Sequence, residues 1–194
     1  MASIGQSFRH NLANLTTVEG RDSTGQYWPY VLTIIVVNFI ISLILTVPMM
    51  IEAFTASFEA VRQGAESGVP VDDTALQAQM MQQMMGDIAG FWPITMALGV
   101  VQMLLVLAAT VRRLHDRDWS GWWVLLGVGG WLTGAVASWW TMNLMQGGIA
   151  ELEANMGVIG VVSWLPYVGY VILLIQLVQS GSPEPNRFGP PPLG

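Results

Sequence analysis

The sequence predicts an all-α integral membrane protein, a four-helix bundle with a short interfacial helix at its N-terminus. Hydrophobic residues make up 53% of the 194 residues and charged residues only 10%, whereas about a quarter of a soluble domain is charged. In addition, four separate apolar stretches have the length of about 20 residues that a helix needs to cross a bilayer. With so little charge for a water-facing surface, a soluble globule is excluded, and so is a disordered chain.

The N-terminal segment, residues 1–26, is predicted to be cytoplasmic and amphipathic. Its apolar side chains recur at spacings of three and four residues, which is typical of one face of a helix. They are Ile4, Phe8, Leu12, Leu15 and Val18. We expect this helix to lie in the interface of the cytoplasmic leaflet, and the alternative is a frayed terminus.

Residues 27–181 are predicted to form the membrane domain. Its four spans cover about residues 30–51, 88–111, 119–145 and 157–179. Most tryptophans fall near the ends of these stretches, as expected for side chains at the membrane interface. A stripe of small residues in the third span allows close helix packing, either within the chain or between two copies. It consists of Gly130, Gly134 and Ser138.

Two further segments lie outside the predicted spans. Residues 52–87 are expected to form an extracytoplasmic loop, with a short helix from about Thr74 to Met85. The expected helix breakers in this loop are Gly64, Gly68 and Pro70. Residues 182–194 are predicted to form a proline-rich cytoplasmic tail, unstructured or extended, because proline cannot continue a helix.

The positions of the arginines predict which side of the membrane each segment occupies. The chain has no lysine, and six of its seven basic residues flank the spans on one side. These six are Arg9, Arg21, Arg112, Arg113, Arg117 and Arg187, and only Arg62 lies on the other side. Because basic residues accumulate in cytoplasmic loops, we expect a multi-pass protein of the bacterial inner membrane with both termini in the cytoplasm.

Polar and aromatic residues concentrate in three short motifs next to the spans. The longest lies between the second and third spans and comprises Arg112, Arg113, Leu114, His115 and Asp116, followed by Ser120, Gly121, Trp122 and Trp123. Another precedes the first span and comprises Gly20, Arg21, Tyr27 and Trp28. The last follows the fourth span and comprises Asn186, Arg187, Phe188, Gly189 and Pro190.

Together and in this order, the three motifs resemble domain-of-unknown-function family 805, a family of small bacterial inner-membrane proteins. They extend over most of the chain, so the resemblance is not confined to one segment. It implies the fold and the membrane location of that family, and it implies no activity.

The predicted topology brings five arginines to the cytoplasmic face, where they are candidates for binding an anionic lipid head group or another phosphate. They are Arg21, Arg112, Arg113, Arg117 and Arg187. The alternative is that they are separate topology anchors, with Asp116 paired to one of them.

No catalytic residues and no cofactor are predicted. A Ser-His-Asp triad would have to use Ser120, His115 and Asp116, and adjacent His and Asp residues do not easily place the carboxylate behind the imidazole. There is no cysteine, and the only histidines are His10 and His115, so no metal motif is present. A weak copper(I) candidate is the methionine cluster of Met80, Met81, Met84 and Met85; flexible apolar filling is the alternative.

We therefore expect a non-enzymatic membrane component that binds lipid or supports a partner complex. The alternative is a small oligomeric channel or transporter, although the spans hold no ionisable residue apart from Glu52 at the end of the first. The expected partners are the bilayer, including its anionic lipids, and a membrane protein or a second copy of the chain. The net charge of −6 and the lack of a basic stripe exclude nucleic acid.

Overall fold

The structure is a computed structural model that describes residues 3–67 and 73–192, apart from the side chains at positions 67, 73–81, 83, 84 and 149. Five α-helices follow one another along these described residues. They are α1 (Ile4–Ala13), α2 (Thr24–Ser67), α3 (Asp73–Asp116), α4 (Leu125–Gly147) and α5 (Ile149–Val178). A short 3-10 turn, Gly121–Val124, precedes α4.

Three stretches within these helices are long and apolar enough to cross a membrane. They are Thr24–Glu66, Met85–Asp116 and Ala150–Val178. These helices confirm the prediction of an all-α protein with helices that could cross a membrane. The 23-residue α4 is not among the three, because glycine, serine, threonine and tryptophan dilute its leucine and valine residues.

The N-terminal helix is shorter than its apolar spacing predicts. A capping box starts α1, with the Ser3 side chain accepting from the Gln6 backbone and the Gln6 side chain accepting from the Ser3 backbone. The helix ends at Ala13, where the Asn14 backbone N–H donates to the carbonyl of Asn11. The apolar residues predicted beyond this point, Leu15 and Val18, therefore lie outside the helix.

Most of the predicted loop over residues 52–87 is helical. The helix α2 continues to Ser67, so the break expected at Gly64 is wrong, and α3 already begins at Asp73. An ion-pair ladder supports this end of α2, because Arg62 lies 2.6 Å from Glu59 and 3.2 Å from Glu66 at helical spacing. The other two expected breakers, Gly68 and Pro70, lie outside the described residues.

The chain divides into two compact units. One comprises Val36–Leu98, and the other combines the chain up to Ile35 with the chain from Gly99 onwards. The second unit contains all three sequence motifs, and we call it the motif unit. Its apolar core is formed by Tyr27, Tyr30, Val31, Ile34, Ala109, Leu114, Leu173 and Leu177.

Two tyrosines of this core satisfy their hydroxyl groups across helices. The Tyr30 hydroxyl donates to the carbonyl of Leu105 at 2.8 Å, and the Tyr27 hydroxyl lies 3.2 Å from the hydroxyl of Thr110. Because a buried hydroxyl without a partner is costly, these bonds fix the N-terminal part of α2 against α3.

The helices α4 and α5 pack along each other and are joined by Gly148 alone. Gly148 has a φ of +108°, which glycine adopts without strain. The fourth predicted span therefore starts as a helix at Ile149 rather than near Gly157. Close packing uses small residues: a Cβ on Gly130 would lie 3.1 Å from the Tyr170 ring. The small-residue stripe thus packs within the chain at this position.

A larger side chain at Gly130 should destabilise the hairpin of α4 and α5. We expect Gly130→Leu to cost about 1–3 kcal/mol by overpacking, measured as a lower thermal midpoint by circular dichroism in mild detergent. The control is Gly129→Leu, because a Cβ on Gly129 meets no atom within 4 Å. Equal midpoints for the two variants would contradict the packing described here.

Candidate functional site

Asp116, the last residue of α3, binds two arginines at once. Its Oδ1 accepts from Nε of Arg21 at 3.1 Å and from Nη2 of the same side chain at 2.9 Å. Its Oδ2 accepts from Nη1 of Arg113. All three side chains are buried, with exposed fractions of 3% for Asp116, 8% for Arg21 and 0% for Arg113. A single carboxylate between two buried guanidinium groups leaves one positive charge that needs further acceptors.

Backbone carbonyls supply these acceptors. Arg113 donates from Nε to the carbonyl of Leu177 at 3.0 Å and from Nη2 to that of Gln179. These carbonyls lie at the C-terminal end of α5, where the helix has unpaired acceptors and partial negative charge. Arg21 donates from Nη1 to the carbonyl of Glu184 at 2.9 Å and also bonds that of Ser182. Each guanidinium group therefore has its hydrogen-bond acceptors within the protein.

A second buried pair lies beside the first. Oδ2 of Asp22 accepts from Nε of Arg112 at 2.9 Å, and Oδ1 of Asp22 lies 2.9 Å from Nε2 of His10. Arg112 also donates to Oδ1 of Asn11 at 2.8 Å and to the carbonyl of Asn14 at 2.7 Å. Arg112 thus closes the C-terminal end of α1 in the same way that Arg113 closes that of α5.

The two pairs are joined through the backbone of Asp22. Its N–H donates to the carbonyl of Arg112 at 3.2 Å, and its carbonyl accepts from Nη1 of Arg113 at 3.3 Å. We call the set of Arg21, Asp22, Arg112, Arg113 and Asp116 the arginine–aspartate cluster. It connects the N-terminal segment, the end of α3, the end of α5 and the C-terminal tail.

The C-terminal tail folds back over the end of α3. The Ser182 N–H donates to the carbonyl of Asp116 at 2.8 Å, and the Asn186 side chain donates to the carbonyl of His115 at 2.9 Å. The Phe188 ring stacks on His115 with 3.7 Å between ring centres. A Cβ on Gly181 would lie 1.9 Å from Oδ2 of Asp116.

The prediction of an unstructured or extended tail is therefore wrong for its described part. Proline excludes a helix, but it does not exclude a turn, and Asn186 and Gly189 form a short bridge between their backbones. The φ of +129° at Gly189 makes this turn accessible. The tail is held from outside its own sequence, since Arg21 also donates to the carbonyl of Gly189.

The five arginines predicted to share a head-group site do not share one open surface. The cluster members Arg21, Arg112 and Arg113 are buried. Arg187 is exposed and lies 3.1 Å from Asp118. Arg117 is half-buried: its Nη1 donates to the carbonyl of Ser180 at 2.9 Å, and its Nε has no hydrogen-bond partner. Among the residues that the structure describes, Arg117 has no carboxylate within ion-pair distance.

The other motif residues have structural positions. Leu114 and Tyr27 lie in the core, and Trp28 packs against it. Ser120 caps the 3-10 turn by accepting from the Trp122 N–H at 3.4 Å. A Cβ on Gly121 would lie 2.7 Å from Val111. Gly20 has a φ of +87°. Trp122, Trp123 and Pro190 are exposed, and Pro190 lies at the end of the tail turn.

Of the residues considered for a catalytic triad, Asp116 and His115 are bound by other partners. Asp116 binds arginines rather than His115, whose Nδ1 lies 3.3 Å from the carbonyl of Gly20. No group of three metal-ligating histidine, aspartate or glutamate side chains occurs in the described part of the chain. Three residues of the copper candidate, Met80, Met81 and Met84, have side chains outside the described residues.

Three members of this site, Asp22, His10 and Asn11, are not among the predicted site residues. Asp22 follows directly after the motif residue Arg21, and an arginine-rich site that becomes buried needs a matching carboxylate. That requirement could have pointed to Asp22. His10 and Asn11 carry no comparable signal, because they lie on the polar face of α1 and the apolar spacing marks the opposite face.

The comparison with known proteins agrees with the sequence resemblance. A family described as a protein of unknown function, DUF805, matches residues 15–190. The inner membrane protein YhaH of Escherichia coli strain K12 and that of Escherichia coli O157:H7 are each 27% identical over 99 residues, which are 51% of this chain and 52% of that protein. The chain thus spans about half the length of the curated relatives it matches. No solved structure matches the chain.

Removing the charge of Asp116 should destabilise the motif unit far more than removing that of its near neighbour Asp118. We expect Asp116→Asn to cost about 3–5 kcal/mol, because two buried arginines lose their carboxylate. Asp118→Asn removes an exposed pair worth about 0–1 kcal/mol, and asparagine tolerates the φ of +59° at this position. Thermal unfolding in detergent compares them, and similar midpoints would contradict the cluster.

Proposed function

The chain belongs to the DUF805 family of proteins of unknown function, and from that premise we propose that it is a non-enzymatic inner-membrane component that binds the anionic surface of the cytoplasmic leaflet. The observation that carries this proposal is the arginine–aspartate cluster. The motif residues with the most reactive chemistry direct their donors and acceptors at one another and at backbone carbonyls. Their role in this proposal is to hold a rigid cytoplasmic cap, which comprises α1, the turn after α3 and the C-terminal tail.

The proposed topology has four spans, with both ends of the chain on one side. Its support is the contact between Arg21 near one end and the carbonyls of Ser182, Glu184 and Gly189 near the other. Segments in contact lie on the same side, which requires an even number of crossings. The 23 residues of α4 would extend for about 34 Å, enough for a hydrocarbon core of about 30 Å.

The proposed orientation has this side in the cytoplasm. Six of the seven basic residues flank it, and arginine-rich segments are retained on the cytoplasmic side. The three buried arginines of the cluster count towards this bias during insertion, before their ion pairs form. The homologue YhaH is named as an inner membrane protein, which supports the same membrane for this chain.

The exposed residues of the cap support contact with lipid. The helix α1 faces the protein with Ser7 and Asn11, whereas Ile4 is 65% exposed and Leu12 is 42% exposed. An amphipathic helix with this arrangement favours the membrane interface. Trp122, 77% exposed at the start of the α4 segment, is a side chain typical of the same zone.

The lipid contact should depend on Arg117 and Arg187, the candidate head-group arginines outside the buried cluster. We expect Arg117→Gln and Arg187→Gln each to weaken retention of phosphatidylglycerol about fivefold, since a basic residue near an anionic surface contributes about 1 kcal/mol. Native mass spectrometry of the purified protein measures the retained lipid. Arg117→Lys keeps the charge and should retain it.

Arg62→Gln is the matched control, because Arg62 lies in the other unit and pairs with Glu59 and Glu66. It should leave lipid retention unchanged. Equal lipid retention by all variants would contradict the proposed function. Co-purification of a protein partner with lipid-independent stoichiometry would favour the partner-complex role instead, and ion flux in reconstituted liposomes would favour a channel.

A further inference from the structure

An apolar groove of about 480 Å³ runs through the motif unit. Segments of α2, α3, α4 and α5 line it, and its wall includes Val31, Val106, Val128, Trp131 and Leu174. Its volume falls in the range of about 300–1,000 Å³ that is typical of ligand sites. The four helices leave this space unfilled by their own side chains, so it needs another occupant.

The groove is elongated along α3. It extends from Gly99 to Thr110, which corresponds to about 16 Å at 1.5 Å per residue. An extended hydrocarbon chain can lie along a groove of this length.

The surroundings of the groove select a hydrocarbon. Its wall on α3 and α5 lies in two of the stretches that are apolar and long enough to span a membrane. In that environment the abundant thin molecules are lipid chains. A void of this size left empty would forfeit dispersion contacts along its whole lining, and a flexible acyl chain can follow its shape.

Arg117 supplies charge complementarity at the cytoplasmic end of the groove. It follows the end of α3 directly, seven positions after the lining residue Thr110. It contacts the end of α5 through Ser180 and lies 3.5 Å from the Gln176 side chain. Within the described ranges no carboxylate neutralises it, so an anionic head group is the complement that its position favours.

We propose that the groove holds one acyl chain of an anionic phospholipid whose phosphate lies at Arg117. This proposal rests on the lipid contact of the proposed function and assigns it a defined chain site. It distinguishes a bound lipid, oriented by head group and chain together, from the lipids that surround any membrane protein. The groove and Arg117 belong to the motif unit, and the arginine–aspartate cluster holds together the ends of α3 and α5, two of the helices that line the groove.

The test is photo-crosslinking of the full chain in membranes that contain phosphatidylglycerol with a diazirine in one acyl chain. We expect the label, mapped by mass spectrometry, to concentrate on groove residues such as Val106 and Leu174. Val128→Phe fills the groove and should lower labelling of these residues about tenfold, the change that corresponds to about 1.4 kcal/mol of binding. The control, Val136→Phe, lies on the same helix at a position that is 62% exposed and should leave labelling unchanged.

The outcomes separate this inference from the proposed function. Label spread evenly over outward-facing residues of the unsubstituted protein would overturn the groove site, whatever the variants do. If Arg117→Gln still lowers phosphatidylglycerol retention in that case, the proposed function stands without the groove. Equal groove labelling by phosphatidylethanolamine, or by phosphatidylglycerol in Arg117→Gln, would overturn the assignment of the anionic head group.

Discussion

The rest of the motif unit depends on the shared carboxylate of Asp116. It holds Arg21, which lies 95 positions earlier in the chain, and Arg113, one helical turn before it. Buried charge is costly unless every donor finds an acceptor, and here the additional acceptors come from helix ends. Arg113 and Arg112 occupy the C-terminal carbonyls of α5 and α1, which would otherwise need partners of their own. The same hydrogen bonds thus satisfy donors of the buried arginines and terminal carbonyls of two helices.

This arrangement explains why three motifs distant in the sequence belong together. The motif before the first predicted span supplies Arg21, and the motif between the second and third supplies Arg113 and Asp116. The motif after the fourth predicted span supplies the turn around Asn186. Their polar groups stabilise one another, and the proposed lipid contact uses residues outside the buried cluster. In this account the motif is architectural, and the groove and Arg117 form the surface that a ligand would meet.

The sequence predicted the elements that hydrophobicity specifies and missed those that depend on long-range pairing. Apolar runs located the three helical stretches that are long and apolar enough to cross a membrane, and the positions of the arginines predicted a shared face for them. The helical ends of α2 and α3 outside those runs carry no such signal, since Arg62 and its glutamates support a helix in water as well. The folded tail could not be predicted from local sequence, because its partners are distant: His115 lies 71 positions from Asn186, and Arg21 lies 163 positions from Glu184. The close packing of α4 on α5 at Gly130 depends on the Tyr170 ring, 40 positions further along the chain.

The contact between the two ends of the chain is tested most directly by their accessibility from each side of the membrane. The chain has no cysteine, so single substitutions at two exposed positions, Gly5→Cys and Pro185→Cys, report on one end each. We predict that a membrane-impermeant maleimide labels both in inverted vesicles and neither in intact spheroplasts. Labelling of one position in vesicles and of the other in spheroplasts would place the ends on opposite sides, and the cluster around Asp116 could not then exist.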